Sequence, residues 1–584
     1  MISTGSEPTP IILSTTMSKR VLDEGSGPVS DRKRQQTHIN KVSGVDGALA
    51  FCHISKLSDE VLLNVFEMLP LSQIISCQTV SRRWQHISTD PELWKRLYFQ
   101  RFVKPRLAHV HSRTRTRIAT RDWWNNERTQ NDGETRKDWK QMFKVRHNWR
   151  KGRCAVTEMD ISNSPPHSAV HEPARQSSFW NEPVLAASTP LVQFDGKIFV
   201  VADKENGLRA WDIEKMENGK RKIVGSRRFQ KYEQGWRLGD PTALGISGEG
   251  QTVDVVVGFE SGGTMILQLK PSTNDEGHDS DFGFHVRFIL PPSEAPEKIL
   301  HITYSHPHLL TLDADHYLRA YLFKSSAFHL DTPRPLATLH AQALHGPCNL
   351  TLRKSKSGDE ATVTAAIAYS MPLFHGGWSV GVQEVVLDIA SPNGISQTRI
   401  GTSIPSTYQL TMLPDRTPSQ VFSSSVPVAS PTSISYSHPY LLTSHRDNTL
   451  TLYLARSTEK EVTIGNPRRL WGHTTGVARA GVAGRGRAVS VSRIGGEVRI
   501  WELESIAAAV AKADMEVADG AVVSIIESVR VENASGPVRV GKELYRDTKI
   551  PTAVEWIGFD EEKVLVVTRD EERDKNVTLY DFTF

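Results

Sequence analysis

The sequence predicts a multidomain fold class: a small all-α module and a helical connector, followed by an all-β propeller of seven blades. Three observations carry that expectation. Apolar residues recur at helical spacing between about residues 54 and 102, a strand-and-turn grammar takes over after about residue 154, and this later region repeats itself.

Residues 1 to 50 are rich in Ser, Thr, Gly and Pro and lack periodicity, so they offer too little apolar area to offset the entropy of ordering. A disordered tail is expected there. Within it, Lys19-Arg20 and Arg32-Lys33-Arg34 stand eleven residues apart. That spacing resembles a bipartite nuclear import signal, and residence in the nucleus, the cytoplasm or both is expected.

Helical patterning fills residues 54 to 102. Ser58 is placed to cap a first helix, with Asp59 and Glu60 at its positive end and Val61, Leu62, Val65, Phe66 and Leu69 at helical spacing. Pro70 closes it. Ser72 is the expected cap of a second helix carrying Ile74, Ile75 and Cys77, and a third is expected from about Val80 through Trp84 to Ile87. Asp90-Pro91-Glu92 opens a fourth, with the acid at the cap and proline at the first helical position. About fifty residues build only a marginal core, and these helices are apolar on more than one face, so burial against a partner is expected.

Leu57-Ser58-Asp59-Glu60-Val61-Leu62, Val65-Phe66, Leu69-Pro70, Ile74, Val80-Ser81-Arg82-Arg83-Trp84 and Asp90-Pro91-Glu92-Leu93-Trp94 together resemble the F-box motif from end to end. The family usually opens with Leu-Pro, where this chain has Leu57-Ser58. The resemblance implies a module that docks on a Skp-type adaptor and, through it, joins a cullin-RING ubiquitin ligase. It carries adaptor contact onto Leu57, Glu60, Leu62, Val65, Leu69, Pro70, Val80 and Trp84. Phe66 and Trp84 also suit the module's own core.

Residues 103 to 153 form the connector. Residues 101 to 153 hold 16 basic against 5 acidic side chains, whereas the remainder of the chain after them holds 43 against 51. Such a segment could meet nucleic acid or an acidic protein face, with Trp123 and Trp124 among its charges, but a solvated helical surface is the simpler reading. In WKQMFKVRHNWRKG the spacing of Trp139, Phe143 and Trp149 predicts an amphipathic helix whose aromatic side packs on its neighbours.

Residues 154 to 584 read as the propeller. TYSHPHLLTLDADHYLRAYL, residues 303 to 322, aligns without a gap to SYSHPYLLTSHRDNTLTLYL, residues 435 to 454, at an offset of 132 residues that suits three blades of equal length. Seven candidate units start near residues 191, 241, 299, 349, 431, 476 and 551, a number that suits a closed ring without exposed edges. The last unit shows only three strands, so a strand from about Arg153 to Met159 is expected to supply its outer one. Gly472-His473, a Ser-rich strand and Trp501 resemble a WD repeat. An Asp that usually completes the hydrogen-bond network of the His is missing at Ile494 to Gly496, which predicts a His473 unsatisfied or paired elsewhere.

The sequence carries no phosphate-binding loop, no HExxH and no Cys/His metal spacing among its four cysteines, so neither a cofactor nor a metal is expected. Gly377-Trp378-Ser379-Val380-Gly381 matches GxSxG, but a nucleophile elbow needs a helix after the serine, and the following residues read as strand. No apolar run approaches the roughly 20 residues of a membrane span. The N-terminal residues lack the basic and apolar regions of a secretory signal, which points to a protein kept inside the cell. A non-catalytic substrate receptor is therefore expected, one that holds a protein substrate, phosphorylated substrates included, near the ligase. Arg479, Arg485, Arg487 and Arg493, clustered in one unit, are the candidate substrate-binding residues. A propeller scaffold with a role outside the ligase, associated with nucleic acid, is the alternative.

Overall fold

The structure is a computed structural model. It describes residues 53–104, 138–160, 191–217, 220–230, 232–233, 235–249, 252–270, 283–292, 297–323, 332–340, 345–354, 362–373, 377–389, 391, 394–403, 427, 429–483, 486–493, 497–503, 529–530, 532–533, 553–569 and 575–583. The chain divides into two compact units, residues 1–61 and 62–584. The tail and its basic pairs Lys19-Arg20 and Arg32-Lys33-Arg34 lie outside the described residues, as do Trp123 and Trp124.

Helix α1 (Asp59–Met68) begins on its two acidic residues and stops before Pro70. Helix α2 (Leu71–Cys77) differs from expectation: its cap is Pro70, whose carbonyl accepts the Gln73 and Ile74 amides at 2.9 and 3.1 Å. Ser72 lies inside the helix, where its carbonyl accepts the Ser76 hydroxyl. Proline suits this position because it has no amide proton to leave unpaired and its ring presets φ. Helix α3 (Arg82–Ser88) is capped by Ser81, which accepts the Trp84 amide at 3.2 Å and leaves Val80 in the preceding turn. Helix α4 (Pro91–Tyr98) starts as predicted, with Asp90 accepting the Glu92 amide at 2.7 Å, and runs into a π-helical turn at Phe99–Val103.

The connector helix, α5 (Trp139–Lys151), is capped by Asp138 and ends at Gly152, whose φ of 66° is left-handed and costs glycine nothing. This helix belongs to two cores. Trp139 and Phe143 pack with Leu62, Phe66, Ile74, Leu93, Trp94 and Phe102, while Val145 and Trp149 pack with Cys154 and blade residues that include Val491, Val564 and Phe582. The marginal core of α1 to α4 is thus completed from within the chain.

Seven blades follow. Their first strands are Leu191–Asp195, Pro241–Glu249, Ile299–Ser305, His345–Lys354, Ser433–Ser437, Val477–Val482 and Ala553–Phe559. Each first strand touches the next around the ring, and the first touches the last, which closes it. The blade that ends with Lys575–Asp581 takes its outer strand from Arg153–Asp160, paired antiparallel from Ala155 opposite Asp581 to Asp160 opposite Asn576. The expected closing strand is there.

One expectation is corrected in detail, and another is resolved. The 132-residue offset spans two blades, because only the blade from His345 to Thr402 lies between the two similar units; one blade interval is short and the other long. His473 is paired elsewhere, one of the two expected outcomes: its Nε2 lies 2.6 Å from Ser490 Oγ, which also accepts the Trp501 indole N–H at 2.8 Å, while its buried Nδ1 has no hydrogen-bond partner among the described residues. Glu497 brings a carboxylate 3.6 Å from His473 Nδ1, and so supplies the charge that a nearer Asp would. The GxSxG serine, Ser379, sits in the strand Trp378–Asp388 and donates to the Ser403 carbonyl.

Candidate functional site: an apolar face on the helical module

Among the described residues, eleven large apolar side chains are exposed, and seven of them lie between Ile54 and Val80. Val65 and Met68 fall at i and i+3 on α1 and so share one stripe, roughly 100° around the helix from the buried Leu62 and Phe66. Met68 is 86% exposed, Val80 62% and Ile75 52%. Pro70, also exposed, sits at the corner between α1 and α2. Beside it a cleft of about 280 Å³ is lined by Leu69, Pro70, Ile74, Leu97, Arg101 and Phe143. Patches of this kind on so small a surface mark docking sites.

Leu62, 1% exposed, points into the module's core. Leu69 and Trp84 are half-buried against that core, Trp84 edge-on to Phe66 with ring centroids 5.4 Å apart. Val65, Pro70 and Val80 are open. In the shorter unit Leu57, Glu60 and Val61 are exposed, and the Glu60 carboxyl is held below the ordinary range by its own backbone N–H and the Ser58 hydroxyl. Met68 and Ile75 were not among the predicted contacts, although helical arithmetic from Val65 reaches the first.

The arginines separate. Arg487, 4% exposed, donates to the Glu561 carbonyl at 3.1 Å, pairs with the Glu561 carboxylate at 3.2 Å and lies 5.2 Å over the Trp149 ring. Its charge is engaged inside the protein. Arg479 is half-buried, and desolvation lowers its pKa against the opposing pull of Glu555. Arg485 lies outside the described residues. Arg493 is exposed at the far end of the strand Arg487–Ser492, roughly 20 Å from Arg487. Its amide donates to the Gly476 carbonyl at 2.7 Å, and any side chain at Gly476 would strike the Arg446 carbonyl, so Arg446 and Arg493 flank one glycine. Arg446, also exposed, was missed because it lies in a different repeat.

In α5 the aromatic residues that would stack on nucleic-acid bases, Trp139, Phe143 and Trp149, are all buried, and only cations such as Lys144 and Arg150 face solvent. No group of three or more potential metal ligands comes together among the described residues, and no helix there is long and apolar enough to cross a membrane.

Comparison with known proteins places both regions. Residues 54–100 match the F-box-like family model, and residues 181–583 match the model described as F-box protein pof12 beta-propeller. F-box protein pof12 of Schizosaccharomyces pombe is 22% identical over 462 residues, covering 77% of this chain and 84% of that protein. F-box protein dre-1 of Caenorhabditis elegans is 46% identical over 46 residues, 8% of this chain and 5% of that protein. An F-box protein of Saccharomyces cerevisiae is 27% identical over 115 residues, 18% of each chain. The chain thus spans only a small part of dre-1 and of the Saccharomyces cerevisiae protein, but most of pof12. With its propeller matched over more than half of its length and an F-box ahead of it, the chain belongs to the F-box protein pof12 beta-propeller family.

Proposed function

We propose that this chain is the substrate receptor of an SCF-type ubiquitin ligase. The F-box binds a Skp-type adaptor and, through it, the cullin-RING assembly, and the propeller holds a protein substrate close to the ubiquitin-conjugating enzyme. Its contribution to rate is proximity, with no acid, base or nucleophile of its own. The exposed apolar face of Val65, Met68, Pro70, Ile75 and Val80 within the F-box match carries this reading, because among the described residues nothing covers it.

The substrate is expected at the end of the propeller away from α5, where the exposed Arg446 and Arg493 both meet Gly476 through their backbones; Arg479 lies in the same blade as Arg493. Exposed arginines there favour an acidic or phosphorylated segment. Nuclear residence, guided by Lys19, Arg20, Arg32, Lys33 and Arg34, is part of the proposal.

Co-purification with the adaptor tests the core of it. The intact protein should bind, and a Val65→Asp/Met68→Asp/Val80→Asp variant should not, with the melting temperature held, since all three side chains are exposed. Equal failure of both proteins, or equal binding, sinks the reading.

A further inference from the structure

Helix α5 is one stiff rod with its two halves in different cores, and its second half is held unusually tightly. Trp149, 1% exposed, stacks on Phe582 with ring centroids 4.2 Å apart and planes 19° from parallel. Its indole N–H donates to the Glu561 carbonyl at 2.8 Å, the same oxygen that takes a hydrogen bond from Arg487. The Arg487 guanidinium lies 5.2 Å from the centre of the indole ring, and Asn148 donates to the Phe582 carbonyl at 2.9 Å. One turn earlier, Arg146 faces Glu502 at 3.8 Å. The contacts come from two blades, at Arg487 and at Glu561 to Phe582.

From Trp149 back to Trp139 the helix rises about 15 Å, too short a distance for a helix to bend appreciably. Trp139 and Phe143 then hold α4 and the π-helical turn through ring contacts: Trp139 to Tyr98, and Phe143 to Trp94 and Phe102. Whatever fixes Trp149 therefore fixes the direction of the module that bears the docking face.

We infer that Trp149, Arg487 and Phe582 form a clamp that, through the connector helix α5, sets the orientation of the F-box helix α4 relative to the propeller, with Arg487 as a positioning residue. Its use in ubiquitin transfer rests on the receptor reading above; the clamp itself does not. A rigid connection would hold bound substrate at one distance from the ligase, and a loosened one would spread that distance over many values.

Spin labels on non-canonical side chains at Glu92 in α4 and Lys197 in the first blade would report the coupling, and labels at Lys197 and Glu459 would report the propeller alone. The intact protein should give one narrow distance for each pair. Arg487→Ala and Phe582→Ala should lose the narrow distance between positions 92 and 197 while keeping that between 197 and 459. An unchanged 92–197 distance overturns the inference, and so does broadening of both pairs, which would make these residues staples of the last blade. Adaptor co-purification with the same proteins separates the two proposals: an intact protein that fails to bind retires the receptor reading and leaves the distances untouched.

Discussion

Ser490 sits between His473 and Trp501 and pairs with one nitrogen of each, while the Glu497 carboxylate lies 3.6 Å from the other imidazole nitrogen. Burial pushes His473 down to about 4, and His308, buried in its strand, is pushed down to about 4 as well, mainly by desolvation and further by His306 and Lys354. Both stay neutral in the folded protein, whereas in the unfolded chain they bind protons from about pH 6.5 downward. Stability should be complete above pH 6.5 and fall as the pH drops from there to about 4, on the order of 3 kcal/mol for each histidine. Melting temperature followed across this range should show the decline, and His308→Leu should make it shallower without abolishing it; an equal slope in the variant would argue against this origin. At this scale the sequence was only partly legible. The missing Asp was visible, but not its replacement by Glu497. Arg487 read as a substrate-binding residue because its partner, Trp149, is far away in sequence and meets it only in the folded ring.

Among the elements, α4 and α5 were readable because their ends carry local chemistry: Asp90 before Pro91, and Gly152 after a run of helix formers. The start of α2 was misread because both Pro70 and Ser72 can open a helix, and only the tertiary position of Ile74 decides between them. That α5 finishes the F-box core was likewise hidden, since an amphipathic pattern names a buried face without naming what it faces. Phe143 is the test of that role. Phe143→Ala should remove about 3 to 5 kcal/mol from the helical module, through lost burial and a residual cavity. Hydrogen exchange should then speed up in α1 to α4 while the blade strands keep their protection; uniform loss across the chain would contradict the assignment of Phe143 to the module's core.

For the whole molecule, the seven unit starts read from turns and strand patterns fall within a few residues of the first strands observed, and the closing strand was foreseen from an unpaired third strand. The blade spacing misled, because the interval from His345 to Ser433 is nearly twice the one from Ile299 to His345. Closure itself is testable at Thr157, which pairs with Leu579 in the middle of the closing strand. Thr157→Pro removes a ladder donor and forces a φ the strand does not favour, so the last blade should open. A lower melting temperature with a second, earlier transition in denaturant is the expected sign; an unchanged single transition would mean that the ring closes without this strand.

The closing strand also imposes an order in time. Arg153–Asp160 leaves the ribosome right behind the F-box and its connector helix, yet the strand it pairs with, Lys575–Asp581, is made more than four hundred residues later. Through most of translation it is therefore an unpaired edge waiting for its mate. Shielding it until then falls to whatever meets the nascent chain, and a message cut short would leave a protein able to present an F-box on a propeller that never shut.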